Sequence, residues 1–497
     1  MRTKTKKYIP KNIRKRKRGG KQTIKKRGGR AIDAGSYGCV FDPPIKCNDN
    51  SSKSISYANS ISKLMYKEDT IGEINEMKKV NKIIETIPNK EDYFIISNTH
   101  VCSPTKLQKE DLYDFDEKCR LFTKRGITKD NINDDTNLEK LALIIMPNGG
   151  LNIDAFIQKI KIELPVKEMH NTFKKTNDAL IKLLINAIVP INSMRFNHYD
   201  IKGQNILYSN DGHARLIDWG LSGENDGIHI PDAIKDRSIA FNMPFSDIFF
   251  NFFVKDWLHN AVREIKSSKQ FKNSKTGQNE LLKVVAVNMI NKSLEETSEG
   301  HYGYIMEYIL PSIYKIYAKQ KYTTLLDYGV LSYNTIIDYI HAVLISTYVD
   351  DDGNFNDVKY FYEVFQKNLD VWGFLMSYIT IIEDDTGKFN IDVVNALCRI
   401  LLKYCFSKEY AIKPIDINEL VSELKSINDI IDNINKSSIS KIKSKSNTKI
   451  KSNSNTKIKS ISKSKSKSIS KSKSKDKVAV SKMHSVNNPF KNSDISS

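Results

Sequence analysis

One stretch of this chain carries polar side chains in an order suited to phosphoryl transfer: His198-Tyr199-Asp200-Ile201-Lys202-Gly203-Gln204-Asn205-Ile206-Leu207. Thirteen residues after Asn205 comes Leu216-Ile217-Asp218-Trp219-Gly220. Moving a phosphoryl group asks little covalent chemistry of a protein. It asks for a carboxylate to orient the attacking hydroxyl, a hard divalent cation across the phosphates, and a positive charge on the migrating group. Asp200 suits the first task and Lys202 the third. Asn205 and Asp218 offer the oxygen ligands that Mg2+ prefers. An ordinary solvated loop has no reason to place these four types, in this order, between apolar strand-like residues.

Three weaker signals precede this one. Ile32-Asp33-Ala34-Gly35-Ser36-Tyr37-Gly38-Cys39-Val40 fits a hairpin whose glycines let backbone amides approach phosphate oxygens. Two glycines alone fit an ordinary tight hairpin better. In Ile61-Ser62-Lys63-Leu64-Met65 one lysine interrupts an apolar strand. It suits α/β-phosphates, although alone it reads as an edge-strand lysine. Glu73 and Glu76 follow on a helical segment and, three apart, share a face. Either would hold Lys63 by an ion pair. Ten residues from Lys63 to Glu73 look short for a connector, so Glu76 is the expected partner.

Taken together, these residues resemble a eukaryotic-type serine/threonine protein kinase, and within that superfamily the divergent kinases of giant DNA viruses, mimivirus-like. The family pattern H-R-D-x-K-x-x-N followed by D-F-G is matched by H-Y-D-I-K-G-Q-N followed by D-W-G. The resemblance implies ATP and Mg2+ as cofactors and serine or threonine hydroxyls of proteins as acceptors. It makes Asp200 and Lys202 catalytic and Asn205 and Asp218 the metal ligands. Ile32, Gly35, Ser36, Tyr37, Gly38, Val40, Ile61, Lys63, Glu76 and Leu207 would bind ATP, with Val40, Ile61 and Leu207 around adenine. Met146-Pro147-Asn148-Gly149-Gly150 falls where the hinge between two lobes belongs. Asn368-Leu369-Asp370-Val371-Trp372-Gly373 resembles the helix whose aspartate hydrogen-bonds the catalytic-loop backbone. Leu401-Leu402…Lys413-Pro414 resembles the closing segment.

Several positions depart from that family. Asp33 replaces the first glycine and Ile61 the alanine beside the lysine. Pro147 has no N–H to offer adenine. Tyr199 replaces an arginine that reads activation-loop phosphate, so activity independent of such a phosphate is expected. Asn242-Met243-Pro244-Phe245-Ser246 occupies the place of A-P-E, and Lys413 that of the arginine pairing with its glutamate. Two other functions stay open. An aminoglycoside-type small-molecule phosphotransferase also carries an aspartate, an asparagine and an I-D-W segment, but typically has histidine where Lys202 stands. A pseudokinase scaffold is the other, against which all four core residues argue.

The elements that must position these side chains follow from pattern. Short β-like runs such as Leu141 to Met146 dominate before about residue 150. Afterwards the apolar spacing turns helical, as in Ala179-Leu180, Leu183-Leu184 and Ala187-Ile188, with Pro190 expected to kink or stop that helix. This predicts an α+β, bilobal, protein-kinase-like fold. The expected organisation is a basic disordered tail over 1–30, a β-rich N-lobe over 31–148, and a helical C-lobe over 149–435. An insertion near 250–365 carries the core aromatics Phe249, Phe250, Phe252, Phe253 and Trp257. A lysine- and serine-rich disordered tail closes the chain over 436–497.

The charge partitions the same way. The 497 residues carry a formal net charge of +20, yet 31–435 hold 46 basic against 56 acidic residues. Residues 1–30 hold 15 Lys+Arg and no acid, and 436–497 hold 17 Lys against Asp476 and Asp494. Such tails bury too little to repay ordering. Lys11 to Arg18 resembles a nuclear-localisation or polyanion-binding patch. The tails are expected to hold nucleic acid without sequence readout, since no aromatic interleaves the Lys-Ser run. Their serines are candidate autophosphorylation sites. No run of 18 apolar residues occurs, so no membrane helix is expected. Six cysteines form no C-x-x-C pair, which argues against a disulfide scaffold or a zinc knuckle and for a reducing compartment. Host cytoplasm or virion is the expected location for a viral kinase, with nuclear targeting by the basic N-terminus as a further expectation.

Overall fold

A computed structural model describes residues 30–451, apart from 35–37, 49–56, 97, 318–323, 349, 351–353 and 384–386. The basic residues before Arg30, the lysine–serine run after Lys451 and the glycine-hairpin tip Gly35–Tyr37 lie outside the described residues. The described residues are mixed α and β, with an antiparallel sheet in the first part and helices thereafter. No described helix is long and apolar enough to cross a membrane.

The sheet contains β1 (Arg30–Ala34), β2 (Gly38–Asp42), β3 (Ser60–Tyr66), β4 (His100–Cys102) and β5 (Leu141–Pro147), in the order β1-β2-β3-β5-β4. Between β3 and β4 runs helix α1 (Lys67–Ile83). β3 lies centrally, with Lys63 opposite Val40 on one side and Ile144 on the other. Strand alternation buries Ser62, Leu64 and Tyr66 on one face and sets Lys63 with Ile61 on the other. A core of Ala31, Phe41, Leu64, Leu141, Leu143 and Ile145 packs under the segment between β4 and β5. That segment contributes Phe115 and Phe122, and Phe122 lies 5.3 Å from the Tyr66 ring.

Four cysteines are paired in this part, contrary to the sequence expectation. Cys39 joins Cys119, and Cys47 joins Cys102. Separations of 80 and 55 residues explain the miss. Local spacing reports only on neighbours, whereas the sheet brings distant segments together. Cys398 and Cys405 are buried free thiols.

After β5 the chain continues as β6 (Leu151–Asn152), α2 (Ile153–Glu163) and α3 (Val166–Leu183). α3 buries Met169, Phe173, Asn177 and Leu180 at three- and four-residue spacing. A π-turn, Leu184–Ile188, follows, with a short helix starting around Pro190. The missing proline N–H is absorbed by widening one turn, which continues the helix rather than stopping it. Four short strands then surround the expected catalytic loop: β7 (Phe196–Asn197), β8 (Ile206–Tyr208), β9 (Ala214–Leu216) and β10 (Gly223–Glu224). β6-β8-β9 form one small sheet and β10-β7 another.

The remainder is helical: α4 (Phe252–Ser267), α5 (Lys275–Glu296), α6 (Leu325–Leu344), α7 (Gln366–Met376), α8 (Ile391–Tyr404) and α9 (Ile417–Lys451). α7 is buried along almost its whole length. The expected core role of the aromatics near 250 holds in part. Phe249 and Phe250 are buried and Trp257 packs on the core from its edge, but Phe252 and Phe253 are exposed at the start of α4. The four phenylalanines straddle an element boundary, so the alternation that buries the first pair turns the second outward.

Contacts divide the chain into Met1–Ser438 and Ile439–Ser497. This division falls close to the tail boundary expected at residue 436, although α9 itself extends to Lys451. Lysine is a good helix former, so the loss of apolar residues does not by itself end a helix.

Candidate active site

A cleft of about 690 Å³ gathers most of the singled-out residues. Val40, Ile61, Lys63, Glu76, Lys202, Asn205, Leu207 and Asp218 line it, together with Glu73, Met77, Ile95, Met146 and Pro147. Ile32 does not join them. It is exposed on β1.

The Lys63 ammonium meets Glu73 Oε2 at 2.5 Å, so the expected pairing with Glu76 is corrected. The reason is in the connection. α1 starts at Lys67, directly after Tyr66, and no connector is needed. Three strand steps span about 10 Å and six helical residues rise about 9 Å, so the helix returns Glu73 level with Lys63. Glu76 lines the cleft nearer Asp218. Burial first, then the charges of Glu73 and Asp218, hold its carboxyl above the usual range.

Asp200 sits in a web of donors. Lys202 Nζ reaches its Oδ2 at 2.7 Å, and Asn205 Nδ2 reaches the same oxygen at 3.1 Å and the Asp200 carbonyl at 2.8 Å. Asn242 Nδ2 donates to Oδ1 at 2.9 Å and to the Ile201 carbonyl at 3.2 Å. By sequence pattern Asn242 only fills the A-P-E position. Its partners lie 41 and 42 residues away, which no local pattern reveals. The lysine in the expected arginine position, Lys413, pairs with Glu409 one turn earlier, at 2.5 Å.

The loop is fixed from beneath by α7. The Asp370 carboxylate accepts from the His198 and Tyr199 amides at 3.0 and 3.1 Å and from Asn197 Nδ2 at 2.9 Å. This is the contact expected of Asp370. Burial raises its pKa, and the His198 ring and these donors oppose the rise. Asp200 N donates to His198 Nδ1 at 3.3 Å, so His198 carries its proton on Nε2 and donates it to the Ile217 carbonyl at 3.0 Å. Ile217 N in turn donates to the Asn205 carbonyl at 3.1 Å. These two bonds set Asp218 beside Asn205. Asp218 takes the left-handed backbone conformation, φ 64°, as does Tyr199 at 62°.

Tyr199 is buried, and its hydroxyl donates to Asn225 Oδ1. Asn225 Nδ2 donates to Asn197 Oδ1 at 2.7 Å, and Asn197 continues to Asp370. Burial, reinforced by Asp370, keeps this phenol protonated far above neutral pH.

At the far end of the cleft, Pro147 supplies no donor, and Asn148 N is occupied by the Asn59 carbonyl at 2.8 Å. Gly149 packs closely there: a Cβ on it would lie 2.3 Å from Ile95 Cδ1 and 2.5 Å from Leu207 Cδ1, side-chain ends that would have to shift. Gly38 is more firmly constrained, since a Cβ would come within 2.7 Å of the Leu64 carbonyl oxygen, a backbone atom.

No family model matches this chain, and no curated protein matches it.

Proposed function

We propose that this chain is a serine/threonine protein kinase, with a two-lobed kinase architecture, that transfers the γ-phosphate of ATP with Mg2+. The observation that carries this is one cleft lined by the Lys63–Glu73 ion pair, Lys202, Asn205 and Asp218, with Asp200 bound directly to Lys202 and Asn205.

In this reading Lys63, steadied by Glu73, aligns the α- and β-phosphates, and Val40, Ile61 and Leu207 enclose adenine. Asp200 accepts a hydrogen bond from the acceptor hydroxyl and orients it, held in place by Lys202, Asn205 and Asn242. Lys202 meets the charge that develops on the transferring group. Asn205 spends its amide nitrogen on Asp200, which leaves its carbonyl oxygen as a ligand atom. With the Asp218 carboxylate this makes a hard oxygen donor set fitting Mg2+. When bound there, Mg2+ would neutralise phosphate charge. Lys202 together with the lysine-flanked serines of the tail favours a protein acceptor over an aminoglycoside.

The test is transfer from labelled ATP to a generic basic protein, run beside aminoglycosides as acceptors. Asp200→Asn is expected to lower kcat by about 100-fold or more, the scale of a lost general base. Lys63→Met should act mainly through nucleotide binding and alignment. Equal transfer by wild type and both variants sinks the proposal.

A further inference from the structure

A second cluster lies on the sheet, apart from the cleft. The chain leaving β2 crosses the sheet rather than following it. Ile45 N donates to Ser62 Oγ on β3 at 2.9 Å. Cys47 then bridges to Pro104 just beyond β4 at the opposite edge. Asn48 N to Ser103 O and Thr105 N to Lys46 O, both 2.9 Å, fasten the crossing. His100 and Cys102 are two apart on β4, so their side chains share a face. That face is the one Cys47 meets. One ligand atom from each of Cys47, His100 and Cys102 lies within 4.8 Å of the other two. Both cysteines are buried and His100 is half-buried, so the cluster opens to solvent on the histidine side.

We infer that Cys47, His100 and Cys102 form a binding site for a thiophilic divalent cation, Zn2+, which replaces the Cys47–Cys102 disulfide when that pair is reduced. Tetrahedral zinc with bonds of about 2.3 Å to sulfur and 2.0 Å to nitrogen sets its ligand atoms about 3.3–3.8 Å apart. That separation lies inside the observed envelope, so local shifts suffice. A thiol reductant gives two electrons and two protons to the pair, breaks the S–S bond and leaves as its own disulfide. Cation binding then displaces both thiol protons to solvent, and water completes the fourth position on the open side. Either state joins the continuation of β2, the strand that brings Val40 to the cleft, to the far edge of the sheet.

The experiment uses the full chain, phosphine-reduced, with zinc content measured after desalting and Co2+ added as a spectroscopic probe. The expected result is one zinc per reduced chain, a thiolate-to-cobalt absorption band, and zinc protection of Cys47 and Cys102 from alkylation. The oxidised chain should take up none. Cys47→Ser with Cys102→Ser should abolish binding, and His100→Ala should weaken it at least about 10- to 100-fold, the cost of losing even a partner that only orients a ligand. His100→Ala changes a half-buried side chain, and the protection pattern is read on the wild type, so neither depends on the cysteine variants folding. No zinc at micromolar free metal, protection of other cysteines, or undiminished binding by His100→Ala overturns the inference.

Discussion

Glu73 and Glu76 share one face of α1, and only Glu73 reaches Lys63. A charged hydrogen bond of this kind contributes roughly 1.5–3 kcal/mol, a factor of about 10–150. Glu73→Gln is therefore expected to lower kcat/KM for ATP by about 10-fold or more, while Glu76→Gln stays within about threefold. Steady-state kinetics on the two variants separates them, and a larger loss in Glu76→Gln would restore the rejected pairing. The same region shows what a sequence discloses. His198 to Asn205 and Asp218 are legible because their chemistry is local: a fixed order of types in one loop and one strand end. Glu73 was visible but misjudged, because residue spacing does not say that a strand runs straight into a helix. Asn242 was invisible in its role, because its bonds to Asp200 and Ile201 depend on how a long segment folds back.

At the scale of elements, the short pair β10-β7 is held by the chain Tyr199–Asn225–Asn197–Asp370. All its links are hydrogen bonds between side chains, and none needs a phosphate. Phosphatase treatment is thus expected to leave the proposed kinase activity unchanged, and its loss would show that a phosphate is part of the latch. Tyr199→Phe strands Asn225 Oδ1 in a buried site, at a cost of about 1–3 kcal/mol. Urea unfolding should register that loss, with kcat falling as β10 loosens. A second element carries a pH signature. Asp247 is buried in the turn Phe245–Phe250, where desolvation lifts its pKa to about 7 against the partial opposition of Arg237 and two amides. The unfolded chain ionises this group from about pH 4. Between about pH 4 and 7 the unfolded state therefore binds fewer protons than the folded one, and this group's contribution to stability falls as pH rises. Asp247→Asn should flatten that part of the stability–pH curve and stabilise the protein near pH 7 by about 1–3 kcal/mol, measured by denaturant titration across this range. An unchanged slope would mean the carboxyl finds a compensating partner. The α7 aspartate was legible in the sequence because Asp370 and Trp372 carry a spacing. Asp247 was not, since nothing local announces that a 3-10 turn of six residues will be wholly buried.

Over the whole molecule, charge and fold part company. Residues 31–435 hold ten more acidic than basic residues, while each expected tail carries a formal +15. The cleft chemistry sits in the first group and the positive charge in the second. Polyanion binding should therefore be separable from catalysis. The boundary for testing this comes from the structure, because α9 continues to Lys451 and a cut at 436 would truncate a helix. Removing 1–29 and 452–497 keeps every described residue. The expected result is loss of retention on duplex DNA with kcat/KM for a small peptide acceptor within about twofold of the full chain. In the full chain, log affinity should fall linearly with log salt, with a slope of about −0.9 per phosphate neutralised, and should not depend on DNA sequence. Autophosphorylation of the tail serines would weaken this binding further, since each phosphate adds about −1.5 to −2 charges. DNA retention that survives the double truncation would place the polyanion site on the acidic body, where repulsion by its net charge makes binding hardest to explain.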